Sequence, residues 1–181
     1  MGGVEGELSR LLPIGSSKDV TRPVRAGPDP IMATSQNASR ISFRSPLSSI
    51  GFIDGAWWPT SRDLERELPD LIRAMSDERV DIRRVSYNRN WWQPAPSRIR
   101  YGGQVIRLGG FAHQDELLIG LVDESRTFRR DFLVIDPRTD TAQAEAALKL
   151  AAESGGTDRP AALMDEARRL SGRTLHAVRS N

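Results

Sequence analysis

All four tryptophans of the chain stand in two adjacent pairs, Trp57-Trp58 and Trp91-Trp92, with Asp54, Arg62 and Asp63 close to the first pair. Indole beside guanidinium is stacking chemistry: an outward ring flanked by arginine is able to hold a planar or sugar ligand. In an extended segment successive side chains point to opposite faces, so each pair is expected to turn one ring inward and one outward. The simpler expectation is that the inward rings anchor the core and the outer ones pack under a loop or helix, since tryptophan is mostly buried in folded proteins. Asp54, Arg62 and Asp63 are then expected in structural ion pairs.

A second feature lies just downstream. From Ile82 to Gln114 the chain has no Asp or Glu, yet it carries Arg83, Arg84, Arg89, Arg98, Arg100 and Arg107, interleaved with Tyr87, Trp91, Trp92, Tyr101 and Phe111. Arginine and aromatic side chains on a sheet suit single-stranded nucleic acid, guanidinium to phosphate and ring to base. Arg98, Arg100 and Arg107 lie across a Gly102-Gly103 turn and are able to share a face. The expectation set against this is neutralisation by acids of a nearby helix, namely Glu65, Glu67, Asp70, Asp77 and Glu78.

Catalytic chemistry has less to stand on. The two histidines are His113, after Gly109-Gly110-Phe111, and His176 near the end. Asp115 and Glu116 neighbour His113 but do not make a metal-ligand spacing, and no cofactor is expected. Ser61 or Ser86 with His113 and Asp54 lacks the G-x-S-x-G turn that exposes a serine nucleophile. Neither glycine pair opens a helix as a phosphate loop does. With no cysteine, thiol catalysis, thiolate metal sites and disulfides are excluded.

The elements that must position these residues read as follows. Ile41–Ser45 alternates as a short strand ended by Pro46, and Gly51–Trp58 is a second extended segment with a turn signal at Asp54-Gly55. Thr60 or Ser61 is expected to cap a helix whose stripe is Leu64, Leu68, Leu71, Ile72 and Met75, with Asp63 completing a capping box and Pro69 kinking or restarting it. Val80–Tyr87 is a strand with a bulge near Arg83-Arg84, where its apolar phase shifts. Arg98–Leu108 is a hairpin about Gly102-Gly103, and Leu117–Val122 with Phe128–Ile135 is another. An alanine-rich helix runs from a Thr139 or Asp140 cap to about Ala152 and stops at Gly155-Gly156; a last helix opens at Asp158-Pro160 and runs to Leu170.

These elements predict an α+β fold: an antiparallel meander of five or six strands, one helix inserted after the second strand, and two C-terminal helices, all three helices on one face. The expected core is Phe43, Phe52, Ile53, Trp57, Leu64, Leu68, Leu71, Ile72, Val85, Ile106, Leu108, Leu117, Ile119, Leu121, Phe132 and Val134. Residues 1–39, rich in Gly, Ser and Pro, are expected to be a disordered extension, with Met32 a candidate start of translation. Residues 40–170 form the single domain and 171–181 a frayed tail.

Across 181 residues, 38% are hydrophobic and 28% charged, with a formal charge of +2, so net charge does not argue for a polyanionic partner. All but two of the 26 basic residues are arginine, Lys18 and Lys149 being the exceptions, a skew that fits a GC-rich genome. No apolar run is long enough to span a bilayer and no signal sequence is visible, so a soluble, cytoplasmic protein is expected.

The run Ile53-Asp54-Gly55-Ala56-Trp57-Trp58-Pro59, then Ser61-Arg62-Asp63-Leu64 and Glu67-Leu68-Pro69, resembles an actinobacterial family of uncharacterised proteins. Arg84-Val85-Ser86-Tyr87-Asn88, Trp91 or Trp92, and Val105-Ile106-Arg107-Leu108-Gly109-Gly110-Phe111 extend the resemblance over about residues 41–136. It implies no activity, cofactor or catalytic residue. The expected function is a non-catalytic binding or regulatory module, its contact surface built from Trp58, Arg62, Trp91 or Trp92, and Arg107, for a protein partner or an anionic or aromatic ligand. Single-stranded nucleic-acid binding through the arginine and aromatic surface is the alternative, and a small enzyme near Asp54 and His113 the second.

Overall fold

A computed structural model describes residues 40–44, 53–77, 80–124, 128–153 and 159–179. The expectations for residues 1–39, Met32, Ser45-Pro46, Phe52, Glu78, Gly155-Gly156 and Asp158 fall outside them. In chain order the elements are β1 (Ile41–Phe43), β2 (Gly55–Trp57), α1 (Leu64–Asp77), β3 (Ile82–Asn88), β4 (Arg98–Tyr101), β5 (Gln104–Phe111), β6 (Leu118–Asp123), β7 (Arg129–Val134), α2 (Thr141–Glu153) and α3 (Pro160–Arg179).

Helix α1 forms where its stripe falls at helical spacing, and Leu64, Leu68, Leu71, Ile72 and Met75 are all buried. Its cap is Asp63 rather than Thr60 or Ser61: the Asp63 carboxylate accepts from the Arg66 N–H at 3.2 Å. Thr60 and Ser61 instead meet Glu67, whose carboxylate turns back to accept from the Thr60 N–H at 2.8 Å, the Thr60 hydroxyl at 2.5 Å and the Ser61 hydroxyl at 2.8 Å. The helix continues through Pro69. The carbonyl that loses its donor there belongs to Glu65, which is exposed, so water satisfies it and no second helical start is needed. Asp140 caps α2 as expected, accepting from the Ala142 N–H at 3.0 Å. Helix α3 runs past Leu170 to Arg179.

The seven strands form one mixed sheet in the order β1-β2-β7-β6-β3-β5-β4. This overturns the expected antiparallel meander of five or six strands, because β2 runs parallel to β7 and β3 parallel to β5. Both expected hairpins exist, β4–β5 and β6–β7, and Gly102 and Gly103 take the positive φ of 56° and 80° that a two-residue turn requires. The error lies in what joins them. The segment 89–97 is long enough to carry the chain past the neighbouring strand position, so β4 becomes the edge and β5 turns back into the gap beside β3. Likewise α1 carries the chain from β2 over the sheet to β3, and β6 and β7 fill the space between. The expected bulge is present: the β3–β6 register shifts between Ile82 and Arg84.

Helices cover both sides of the sheet, not one. The α1 stripe packs with Trp57, Val85, Tyr87, Ile106, Ile119, Phe132 and Val134 in one apolar cluster. Ile53, Ala56, Trp58, Leu133 and Ile135 form a second with Ala144, Ala147, Leu148 and Ala151 of α2 and Leu163 and Ala167 of α3. Phe132 to Ile135 are four consecutive buried residues, a continuous run that a strand shows only when both its faces are covered. The alanines let α2 approach closely enough for the Ser42 hydroxyl to donate to the Leu148 carbonyl at 2.7 Å. Within the expected core, Phe43 and Leu117 are only partly buried.

Candidate binding face

The tryptophans do not form an exposed platform. Trp57, Trp58, Trp91 and Trp92 are between 2% and 8% exposed. Alternation does split Trp57 from Trp58, but each lands in a core because both sheet faces are covered there. Trp91 and Trp92 sit in a turn after β3, not a strand, and both join the α1 side. Trp92 stacks on Trp57 at 5.4 Å between centroids and meets Trp91 edge-on at 4.7 Å. The arginines expected to flank a ligand stack on the rings themselves: Arg62 lies 4.5 Å over Trp91 and Arg40 3.9 Å over Trp58. Arg40 also donates to the Trp58 and Pro59 carbonyls at 3.0 and 3.1 Å.

Beside these rings, Ser61, Arg62, Gln93, Asp136 and Arg138 line a shallow cleft. Its charges satisfy one another. Arg138 donates to Asp136 through its backbone N–H at 2.9 Å and its guanidinium at 3.1 and 3.2 Å, and Arg62 donates to the same carboxylate. Arg138 first, then Arg62, holds the Asp136 carboxyl far below the usual carboxylate range. Gln93, Asp136 and Arg138 were not among the residues picked from sequence, and their distance from Arg62 along the chain gave no signal.

The residues proposed for catalysis are not brought together. Asp54, at the start of β2, accepts from Arg44 at 3.2 Å and from the Asp131 N–H at 3.0 Å, with Arg130 at 3.9 Å. Asp63 caps α1, and His113 is exposed in the loop after β5, three strands across the sheet from β2. Among the described residues no three His, Asp or Glu side chains converge as a metal site.

What the strands do bring together is arginine. On the α1 side, β3, β4 and β5 present Val85, Tyr87, Ile99, Ile106 and Leu108, so Arg84, Arg98, Arg100 and Arg107 point to the opposite face. Register then aligns them. Arg98 is directly opposite Arg107, and Arg107 directly opposite Arg84, making one row across three neighbouring strands. The row continues through Val122 of β6 to Arg129 of β7. Helices α2 and α3 cover this face only towards β1, β2 and β7, and Arg84, Arg98, Arg100 and Arg107 are exposed.

The described acids expected to neutralise these arginines belong to α1, on the other side of the sheet. Glu67 is held by Thr60 and Ser61, and Asp70 pairs with Arg73, both on α1 across the sheet. Arg83, at the bulge, does pair, with Asp81 at 2.9 Å and Glu124 at 3.2 Å. On the open face Asp131 is engaged by Arg129, two hydrogen bonds of 2.8 Å each. Among the described residues no carboxylate makes an ion pair with Arg84, Arg89, Arg98, Arg100 or Arg107. Of the five residues picked as a contact surface, only Arg107 lies on the open part of this face.

Fold and surface together define an α+β protein on a seven-stranded mixed sheet, with described helices on both sides and part of one sheet face left uncovered by the described residues and cationic. The chain belongs to the family of unknown function designated DUF5994, which matches residues 40–151, more than half of its length. No curated protein and no solved structure matches it. No helix among the described residues is long and apolar enough to cross a membrane.

Proposed function

We infer that the protein is a non-catalytic binding module that holds an anionic partner on the bare part of its sheet. The row Arg98, Arg107, Arg84 carries this reading. Side chains directly opposite one another in a sheet are about 5 Å apart at Cβ, where like charges repel. Three such charges, with no carboxylate paired to them among the described residues, are stabilised by one brought from outside. The planar guanidinium fork suits phosphate and carboxylate groups, which it meets with two parallel hydrogen bonds. The reading replaces the indole surface, since Trp58, Trp91 and Trp92 are interior and Arg62 is committed to Asp136 and Trp91. A cytoplasmic location and an actinobacterial source, the latter supported by the arginine skew, belong to the same proposal.

The test is affinity for inorganic polyphosphate at low salt, comparing the native chain with an Arg84→Ala/Arg107→Ala variant. We expect loss of at least tenfold in affinity, and a salt dependence shallower by about two on the logarithmic slope, one per contact removed. Native protein that ignores polyphosphate, or a double variant that binds it unchanged, would overturn the reading.

A further inference from the structure

The bare face has a second row, and it is shaped differently from the first. Two residues further along the strands, Gly109 of β5 stands opposite Ser86 of β3, and Ser86 opposite Gly120 of β6. Side chains this small keep the row low, and larger neighbours lean over it: a side-chain carbon at Gly120 would lie 2.8 Å from the Asp131 carboxylate and 3.3 Å from the Arg129 guanidinium, and the Ser86 hydroxyl between is shut off from solvent. Beyond this row rises Phe111, which at 56% is the most exposed of the large apolar side chains described. Its ring leans back over Gly109, for a side-chain carbon there would lie 3.1 Å from the ring. The ring therefore lies over the Gly109 position, about 7 Å along β5 from the arginine row for a two-residue step.

We propose that this face binds single-stranded nucleic acid, phosphates over the Arg98–Arg107–Arg84 row and a base stacked on the exposed ring of Phe111. The proposal deepens the anionic-partner reading and rests on it. A nucleotide offers what the two rows ask for, an anion and a planar apolar ring joined by one sugar. Polyphosphate or an acidic peptide surface would use the arginines but leave Phe111 without a role. A duplex keeps its bases stacked on one another and presents no ring face to the side chain, whereas a single strand leaves them free to stack on aromatic residues. The Ser86 hydroxyl is shut off from solvent, and stacking on a ring accepts any base, so the contact is indifferent to sequence.

The experiment measures fluorescence anisotropy of labelled oligothymidylate, a duplex of equal length and polyphosphate with the full chain at low salt. The native chain, Phe111→Ala, Phe111→Trp and the Arg84→Ala/Arg107→Ala variant are compared. Phe111 is exposed, so its variants are expected to melt with the native chain. The expected result is tighter binding of the single strand than of the duplex. Phe111→Ala should weaken the single strand about tenfold while leaving polyphosphate unchanged, and Phe111→Trp should restore it. If Phe111→Ala leaves the single strand unaffected, or the duplex binds as well, the nucleic-acid proposal fails. Polyphosphate binding that still depends on Arg84 and Arg107 would in that case preserve the broader reading, and no binding of any polyanion would end both.

Discussion

The two faces of the sheet are written by the same alternating strands and finished in opposite ways. Beneath α1, Val85, Ile99, Ile106, Leu108, Ile119 and Phe132 meet one leucine-rich helix stripe and are sealed from β7 to β4. On the other side α2 and α3 seal the sheet only around β1, β2 and β7, and the surface beyond them carries arginine. Charge obeys the same division. Arg44, 6% exposed, and Arg130 share the carboxylate of Asp54, while the arginines of the open row have no such partner among the described residues. The lesson is that Arg44, where burial makes an isolated charge costly, has its carboxylate, while Arg84, Arg98 and Arg107 stand without one where water makes that tolerable. A side chain retained there without an internal partner is available for an external one.

The largest test of the sealed face is Trp57→Ala. Trp57 is 2% exposed and stacks on Trp92, so truncation removes the centre of the aromatic cluster and leaves a cavity under α1. A loss of about 3–5 kcal/mol in urea unfolding is expected. A loss below about 1 kcal/mol would mean that the cluster relaxes freely, and the contrast between a rigid face and an open one would break. Asp54→Ala probes the neutralised charges. It removes the shared carboxylate beside the buried guanidinium of Arg44 and strips the acceptor from the Asp131 N–H. A loss of about 3 kcal/mol follows, because a buried cation is then short of its counterion. An effect within about 0.5 kcal/mol, typical of surface substitutions, would place Asp54 with the exposed charges instead.

Much of this was legible in the chain, and the failures have physical reasons. The α1 stripe, the bulge at Arg83-Arg84, the turn at Gly102-Gly103 and the Asp140 cap follow from local rules of period, phase and φ, and the structure has all four. Strand order is not local. Nothing in Arg98–Tyr101 says that it passes to the sheet edge and lets Gln104–Phe111 pair with β3, so a mixed sheet was read as an antiparallel meander. The simpler expectation for the tryptophans holds, because alternation gives opposite faces, not exposure; Trp58 points away from α1 and still enters a core, under α2. The run Phe132-Leu133-Val134-Ile135 carried the missing signal, four apolar residues without alternation, which only a strand covered twice would need. The acid-free stretch marked the arginines that the strands align. Which of them share a row depended on the β3–β5 register, and that in turn on the order of the strands.

The smallest expected effect has the opposite sign. Arg107 stands between Arg98 and Arg84 in register, so it meets a like charge on each side. Like charges directly opposite in a sheet are destabilising by a few tenths of a kcal/mol to about 1 kcal/mol, and salt screens the repulsion between exposed groups over about 10 Å at 0.1 M. Arg107→Gln keeps most of the aliphatic stem that lies on the sheet and removes the charge. Stability in urea at low ionic strength should therefore rise by about 0.5 kcal/mol, and the gain should vanish in molar salt, where the native chain is already screened. Should Arg107→Gln destabilise the fold at both salt concentrations, the guanidinium contributes to the native structure and the row needs no outside anion to account for it. A salt-sensitive gain would mean instead that the chain keeps Arg107 at a cost to its own stability, as residues of a binding surface often are.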